Sequence, residues 1–588
     1  MRNASVIIVL MLLSPIVAAI SDEQEVNIDL EITDELIIPT YSKAIQYSFK
    51  RVSDLNQYST DQLSNTEYWL VVTQVPIEKQ VWTAANPKNV EAVDYLKGAY
   101  IWYFEESLNS IEGMQKSLEN GQIETFSPLV ENIHEKRDNP NDPEFSSQWH
   151  LDNYGQTGGT TGEDINATDV WDNYRGEDIV ISIIDDGLDH QHPDIAPNYN
   201  SSYSYDWCND DSDPTPNSND GHGTAAAGVA AATGNNSLYV AGAAWEASLA
   251  GSTILACGSP DSMEADALSF ENNDVDIYSN SWGPSDNGQT LSAPGPLTMA
   301  ALEYDAYSGR NGLGNSITWA AGNGLTSDDN ANYDGYANSR FTIAVTAITH
   351  YGEQSYYAEP GANILVAAHS NGDGEGITTT DITGNGGYTS GNVTNDFGGT
   401  SSATPLASGV IALMYDANKY LTWRDVQEIL VQSSRKNDPN DSSWNVNGAG
   451  YDVSHKYGFG AIDAGAAVDL ALNWTNIDDE MNSTYGPYLE DQPIPNNNDS
   501  WTQFQMNMPI EMQLESVDLM VDIDHNSRGD LDIVLVSPDG TESWLAEEHN
   551  DNGNDYSNWL FNTVHHWGES SLGMWTLKIR DSVGGNSG

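Results

Sequence analysis

Asp178-Ile179-Val180-Ile181-Ser182-Ile183-Ile184-Asp185-Asp186-Gly187 is a near-continuous apolar run that stops on two carboxylates and a glycine. It reads as a strand buried on both faces, with Asp185 at its end. Two further stretches follow the same logic. Gly221-His222-Gly223-Thr224 leads into an alanine-rich helix expected over Thr224 to Ala232. Gly399-Thr400-Ser401-Ser402-Ala403 opens a long apolar helix reaching Tyr415. Between them Ser316 to Ala321 is another strand, ending near Asn323. Strands alternating with small-residue helices predict a mostly parallel sheet covered by helices on both faces.

The chain of 588 residues is long enough for several domains. Residues 1–19 read as an export signal: Arg2, an apolar run from Val6 to Leu13, then Val17-Ala18-Ala19 for cleavage. Residues 20–137 form a small α+β unit, with strands at Tyr68 to Val75 and Tyr100 to Phe104 and a helix at Ile111 to Leu118. Residues 138–476 hold the parallel sheet. Residues 477–588 alternate in the manner of strands, as in Leu531 to Val536, closed by Ser537-Pro538-Asp539-Gly540, and are expected to form an all-β sandwich. The chain stops at Gly588 after a turn-like stretch, so the sandwich is expected to lack its last strand and to expose a sheet edge. Cys208 and Cys257 are the two cysteines, and their spacing decides neither a disulfide nor two free thiols.

The 87 Asp and Glu against 21 Lys and Arg give a formal charge of −66. Such a surface repels nucleic acid and anionic membranes and attracts cations and basic peptides. It also suits a protein kept soluble in high salt.

Aspartate, histidine and serine are the residue types of an activated nucleophile. Serine attacks only when a base takes its proton; His222 is the base, and Asp185 orients the imidazole and stabilises its charged form. Ser401 lies where a helix begins, so the helix dipole favours negative charge beside it. Asn323, in Ala321-Gly322-Asn323-Gly324, supplies a side-chain amide for a developing oxyanion.

The chain order Asp, His, Ser resembles that of subtilisin-type proteases. Flanking motifs narrow the resemblance to kexin/furin-type proprotein convertases, from the first unit to the last. They are Asp185 to Asp194, Ser281-Trp282-Gly283-Pro284, Asp334-Gly335-Tyr336, Leu421 to Asp425 and Val453 to Gly460. Arg528-Gly529-Asp530-Leu531 and Ser537 to Thr541 resemble the P domain of that family.

The resemblance implies an endopeptidase that cuts peptides or proproteins after paired basic residues. It assigns Ser281, Trp282 and Gly283 to substrate binding, Asp286 and Asp334 to the pocket before the scissile bond, Asp186 and Asp220 to the next, and Glu264 and Tyr336 to the fourth. Ser292 stands where furin-like members carry a further aspartate, which loosens that fourth pocket. Cleavage after Lys136-Arg137 would release residues 20–137, expected to act as an intramolecular inhibitor. The resemblance also implies up to three Ca2+ sites. The first takes Asp142, Asp194 and Asn236 with carbonyls of Thr233, Leu238 and Val240. The second takes Asp286, Asp329 and Glu359, and the third Asp206, Asp211 and Asp213. Two other readings compete: a broad degradative extracellular subtilase, and a catalytically silent binding protein working through its β module.

Overall fold

The computed structural model describes residues 4–6 and 9–12, isolated positions from 49 to 63, most of 66–130, then 139–496 and 500–583. It divides into two compact units, Ala19–Lys136 and the remainder. Lys136 and Arg137, the expected processing site, lie outside the described residues. Two short strands stand at the start, β1 (Ala4–Val6) and β2 (Val9–Leu12).

The smaller unit is α+β. Strands β3 (Tyr68–Val72), β4 (Asn89–Ala92), β5 (Ala99–Tyr103) and β6 (Thr125–Pro128) form an antiparallel sheet in the order β4-β5-β3-β6. Helix α1 (Ser107–Glu119) carries Met114 onto a core of Trp69, Trp102, Phe104 and Phe126.

The larger unit contains the parallel sheet. Its strands are β7 (Val180–Asp185), β8 (Tyr205–Asp206), β9 (Ser248–Thr253), β10 (Ile277–Asn280), β11 (Ser316–Ala320), β12 (Thr342–Ile348) and β13 (Ile364–His369). They are ordered β13-β12-β11-β10-β7-β9-β8, with every neighbouring pair parallel. The apolar run quoted at the outset is β7, near the middle. Side chains alternate across a strand, and here both faces are covered. Ile181 and Ile183 join one core with helices α2 (His222–Ala231), α5 (Thr400–Ala417), α6 (Trp423–Ser433) and α7 (Ala464–Ala471). Val180 and Ile184 join the other with α3 (Asp261–Leu268) and α4 (Pro296–Gly312). Each such fully buried aliphatic side chain contributes about 1.5–3 kcal/mol of transfer free energy.

A hairpin of β14 (Ile377–Gly384) and β15 (Gly391–Phe397) packs on α2. A disulfide joins Cys208 to Cys257 (Cα–Cα 5.7 Å), tying the turn after β8 to the loop after β9. This settles what spacing left open.

A short pair, β16 (Trp444–Val446) and β17 (Asp452–Ser454), precedes the C-terminal module. That module is a sandwich built from β18 (Ser483–Tyr485), β19 (Glu490–Gln492), β20 (Thr502–Met508), β21 (Val517–Ile523), β22 (Leu531–Val536), β23 (Glu542–Ala546), β24 (Tyr556–Thr563) and β25 (Gly573–Asp581). Its four-stranded sheets run β20-β25-β22-β23 and β18-β2-β21-β24. Thus β2 lies between β18 and β21, and β1 pairs with β19. Both short strands lie within residues 1–19, read above as an export signal. Among the described residues no helix is long and apolar enough to cross a membrane.

The sandwich docks on the segment Asn330 to Asn338. Tyr333 stacks on His549 (centroids 4.4 Å), Trp559 Nε1 donates to the Asn332 carbonyl, and Asn562 N donates to Asn332 Oδ1 at 3.0 Å. The same segment carries Asp334 and Tyr336.

Candidate active site

In an open parallel sheet the functional edge is the C-terminal one. Asp185 ends β7, Ser281 follows β10, and Asn323 follows β11. Helices α2 and α5 pack side by side and start at this edge, so His222 and Ser401 sit at their N-terminal ends. The alanine-rich helix begins two residues earlier than the sequence suggested, on His222 itself.

Both oxygens of buried Asp185 lie 2.9 Å from Nδ1 of His222. That contact fixes the ring and its tautomer: Nδ1 carries a proton toward Asp185 and Nε2 is left to act as base. Burial works against an imidazolium, but the Asp185 carboxylate outweighs it by charge and hydrogen bond and lifts His222 to about 9. Gly223 is required here because a Cβ would stand 2.8 Å from that of Asp185.

Asp186 accepts the backbone N–H groups of His222 (3.1 Å) and Gly223 (2.8 Å), capping α2 from outside its own sequence. Burial, then the charge of Asp185, pushes its carboxyl up to about 7. The residue expected to bind substrate therefore also anchors the backbone of His222.

Ser401 is the second residue of α5. Pro405, one turn on, has no N–H to give the Ser401 carbonyl. The Ser281 hydroxyl takes that place, donating to Ser401 O at 3.1 Å, while Ser401 Oγ donates to Ser281 O at 3.2 Å. Gly399 precedes the helix at φ +75°, a left-handed turn that glycine adopts freely.

Asn323 Oδ1 accepts Thr400 N (2.8 Å) and Thr400 Oγ1 (3.1 Å). A backbone N–H can only donate, so this fixes the amide orientation and turns Nδ2 the other way, where it also meets Asp286 Oδ2 at 3.3 Å. A developing oxyanion thus finds Asn323 Nδ2 and the N–H of Ser401, which lies in the first helical turn without an intrahelical acceptor.

The acidic residues expected around the cleft divide into three groups. Asp286 accepts Asn323 N at 2.9 Å. Asp334 lies behind Gly283, where a Cβ would meet its Oδ2 at 2.8 Å; burial pushes it up to about 8, and Asp286 and Asp329 add to the effect. Ser292 pairs with it as an isolated bridge. Glu264 is buried and accepts Tyr336 OH (2.8 Å) and Ser259 Oγ (3.1 Å), while Tyr336 stacks on Trp319 and meets Trp282 edge-on. Asp220 accepts Asn217 Nδ2 and donates its N–H to Asn217 O.

For the expected metal sets the outcome is mixed. Asp142 accepts the N–H groups of Asn235 and Asn236, and Asp194 accepts Val240 N (2.9 Å) and Asn236 Nδ2 (3.1 Å). Burial pushes both carboxyls up. Two buried carboxylates, an amide and the turn carrying Thr233, Leu238 and Val240 do meet, and this oxygen-rich set suits Ca2+. Asp329 and Glu359 converge on Gly324; burial and the charge of Asp286 push Asp329 up to about 6, and burial with the charges of Asp329 and Asp286 pushes Glu359 well above the usual carboxylate range. Yet among the described residues no three His, Cys, Asp or Glu side chains are gathered so as to hold a metal ion. The second set is therefore not assembled as an all-carboxylate site. Nor is the third: Asp206 accepts Cys208 N and Asn209 N, Asp211 accepts Asp213 N, and Asp213 accepts Thr215, each closing a local turn.

Several supporting residues carried no sequence signal. Asn371 Oδ1 accepts Gly399 N (2.9 Å) and Tyr357 OH (2.6 Å), and Ser370 Oγ donates to Gly399 O (2.7 Å). They lie just past β13 and are brought to the nucleophile turn only by sheet order.

The subtilase family model matches residues 176–460, and the proprotein convertase P-domain model matches 514–588. The chain is 40% identical over 468 residues to PC3-like endoprotease variant B of Hydra vulgaris, covering 76% of this chain and 64% of that protein. It is 36% identical over 481 residues to furin of Bos taurus, covering 79% of this chain and 59% of that protein. It thus spans somewhat less than two thirds of the length of these relatives. The crystal structure of a serine protease of Aeromonas sobria superposes with a TM-score of 0.68 at 26% identity, covering 77% of this chain and 91% of that one. With the Asp185–His222 geometry and the β sandwich behind it, these matches identify residues 176–460 as a subtilase-family peptidase domain and residues 514–588 as a proprotein convertase P-domain.

Proposed function

We propose that this protein is a serine endopeptidase cutting after paired basic residues. The observation that carries the reading is the double contact of Asp185 with His222 Nδ1 at 2.9 Å, with Ser401 at the N-terminus of the helix packed against α2. In the reaction, Ser401 Oγ attacks the scissile carbonyl carbon while His222 Nε2 takes its proton. The oxyanion is held by Asn323 Nδ2 and Ser401 N–H. His222 then returns the proton to the leaving amine, and water repeats the sequence on the acyl-enzyme.

Preference for cationic substrates follows from the carboxylates. Asp186, Asp286 and Asp334 are crowded enough that burial raises all three. A guanidinium or ammonium entering beside them stabilises their charged forms. Ca2+ would be held by Asp142, Asp194 and Asn236 and would stiffen the loop after α2. Export, self-cleavage after Arg137 and inhibition by residues 20–137 complete the reading: export rests on the residue pattern of 1–19, and self-cleavage on Lys136-Arg137 being one of only three adjacent basic pairs in the sequence.

The test is labelling of Ser401 by a fluorophosphonate probe, with Ser401→Ala as control, and turnover of matched Lys-Arg and Leu-Phe peptides. Absence of labelling sinks the catalytic claim. Equal turnover of the two peptides leaves a broad degradative peptidase instead. N-terminal sequencing of both forms tests self-cleavage, since Ser401→Ala should retain residues 20–137.

A further inference from the structure

The hairpin joining β14 to β15 reaches back over the N-terminus of α2. Buried Asp381 holds its tip: Oδ1 accepts Tyr388 N (3.0 Å) and Oδ2 accepts Thr389 N (2.7 Å). Asn219 N, three residues before His222, donates to Gly386 O at 2.7 Å. A Cβ on Gly221 would lie 3.6 Å from Gly387 Cα, so the residues immediately before His222 and Tyr388 are in contact. The backbone of the tip is therefore pinned, yet the Tyr388 side chain is 54% exposed. Its ring leans on Phe397 (centroids 6.1 Å), and Phe397 meets His222 edge-on at 5.4 Å. Asp186 is bonded to the backbone of His222 in the same place.

An exposed tyrosine at a hairpin tip is ordinarily unremarkable. This one is a rigid aromatic face held beside the catalytic histidine, with carboxylates around it. Asp186, Asp185 and Asp381 hold its phenol, already raised by burial, further above the usual range. An electron-rich ring face next to a carboxylate suits a cation and disfavours an acidic or purely aliphatic group.

We propose that Tyr388 is a specificity-determining residue: its ring forms one wall of the groove beside His222 and, with Asp186, receives the cationic side chain that precedes the residue at the cut. The proposal rests on the endopeptidase reading above.

The experiment compares kcat/KM on Lys-Arg and Ala-Arg peptides for the wild type, Tyr388→Ala and Tyr388→Phe, with melting temperature and the rate of fluorophosphonate labelling as checks on the fold. The wild type should prefer Lys-Arg. Tyr388→Ala should reduce that preference about 10-fold, through KM on the Lys-Arg peptide, and Tyr388→Phe should keep it within about twofold because the ring face remains. An unchanged preference in Tyr388→Ala overturns the proposal, as does a loss equal on both peptides. A wild type that labels but shows no preference removes the paired-basic reading and the clamp together. A wild type that does not label removes the catalytic reading, and the role of Tyr388 is then judged by calorimetry of Lys-Arg against Ala-Arg peptide binding to the wild type and to Tyr388→Ala: equal affinity of the wild type for both peptides overturns it.

Discussion

Ser281 and Ser401 hold each other by exchanged hydrogen bonds: each hydroxyl donates to the other residue's carbonyl, at 3.1 and 3.2 Å. The exchange exists because Pro405 leaves the Ser401 carbonyl without its helical donor. Ser401 is thus braced against the residue that follows β10, and its hydroxyl must leave Ser281 O to reach His222. Ser281→Ala keeps the carbonyl acceptor and removes the brace. A lost hydrogen bond of roughly 1 kcal/mol predicts kcat lower by about 5- to 10-fold with little change in KM. Steady-state kinetics check this; a rise in KM alone would mean that Ser281 acts only on substrate.

The two adjacent aspartates predict a pH signature. His222 is lifted to about 9 and must be neutral to accept the Ser401 proton, so kcat/KM should rise with pH along a limb lying above the 6.5 of free imidazole. Asp186, pushed up to about 7, must be charged to bind a cation. The preference for Lys-Arg over Ala-Arg should therefore grow as pH rises through about 7 and vanish at pH 5. Asp185→Asn should move the limb down and cut kcat by about 10,000-fold. Profiles measured from pH 5 to 10 on both peptides test each part; a flat preference excludes the role given to Asp186.

Much of this was legible in sequence. The run from Asp178 to Ile184 predicts a buried strand ending at Asp185, and the structure makes it β7, Val180–Asp185. The run from Leu531 to Val536 becomes β22 with the same bounds. Triad residues are recognisable because their chemistry restricts their neighbours to small residues. Contacts across the sheet are not legible: Asn371 and Tyr388 are ordinary loop residues, and Asp381 an ordinary strand residue, until strand order places them. In Asp206, Asp211 and Asp213 the structure shows local turn contacts that the sequence did not disclose. In a chain this acidic, an aspartate in a turn is more often a local acceptor for backbone N–H groups than a ligand.

Metal removal separates the first expected calcium set from the third. A cation held by Asp142, Asp194 and Asn236 at 100 times its dissociation constant adds about 2.7 kcal/mol. Chelation should then lower the melting temperature by several degrees. Asp194→Ala should abolish that response, since two buried carboxylates are needed to balance the ion, while Asp211→Ala should leave it intact. Calorimetry with and without chelator decides. A wild type indifferent to chelation would mean that Asp142 and Asp194 are structural acceptors only.

The orientation of Asn323 gives the sharpest test of the oxyanion site. Its oxygen is committed to Thr400 N and Oγ1, so its amino group is the half that can meet the reacting carbonyl. Asn323→Asp keeps an acceptor for Thr400 and removes the donor, whereas Asn323→Ala removes both. If the donor matters, both variants should lose roughly 100- to 1,000-fold in kcat with KM nearly unchanged. If the side chain served only to brace the nucleophile turn, Asn323→Asp would keep most of its activity and only Asn323→Ala would fail. Single-turnover rates settle the comparison, because both variants are expected to retain the serine–histidine pair.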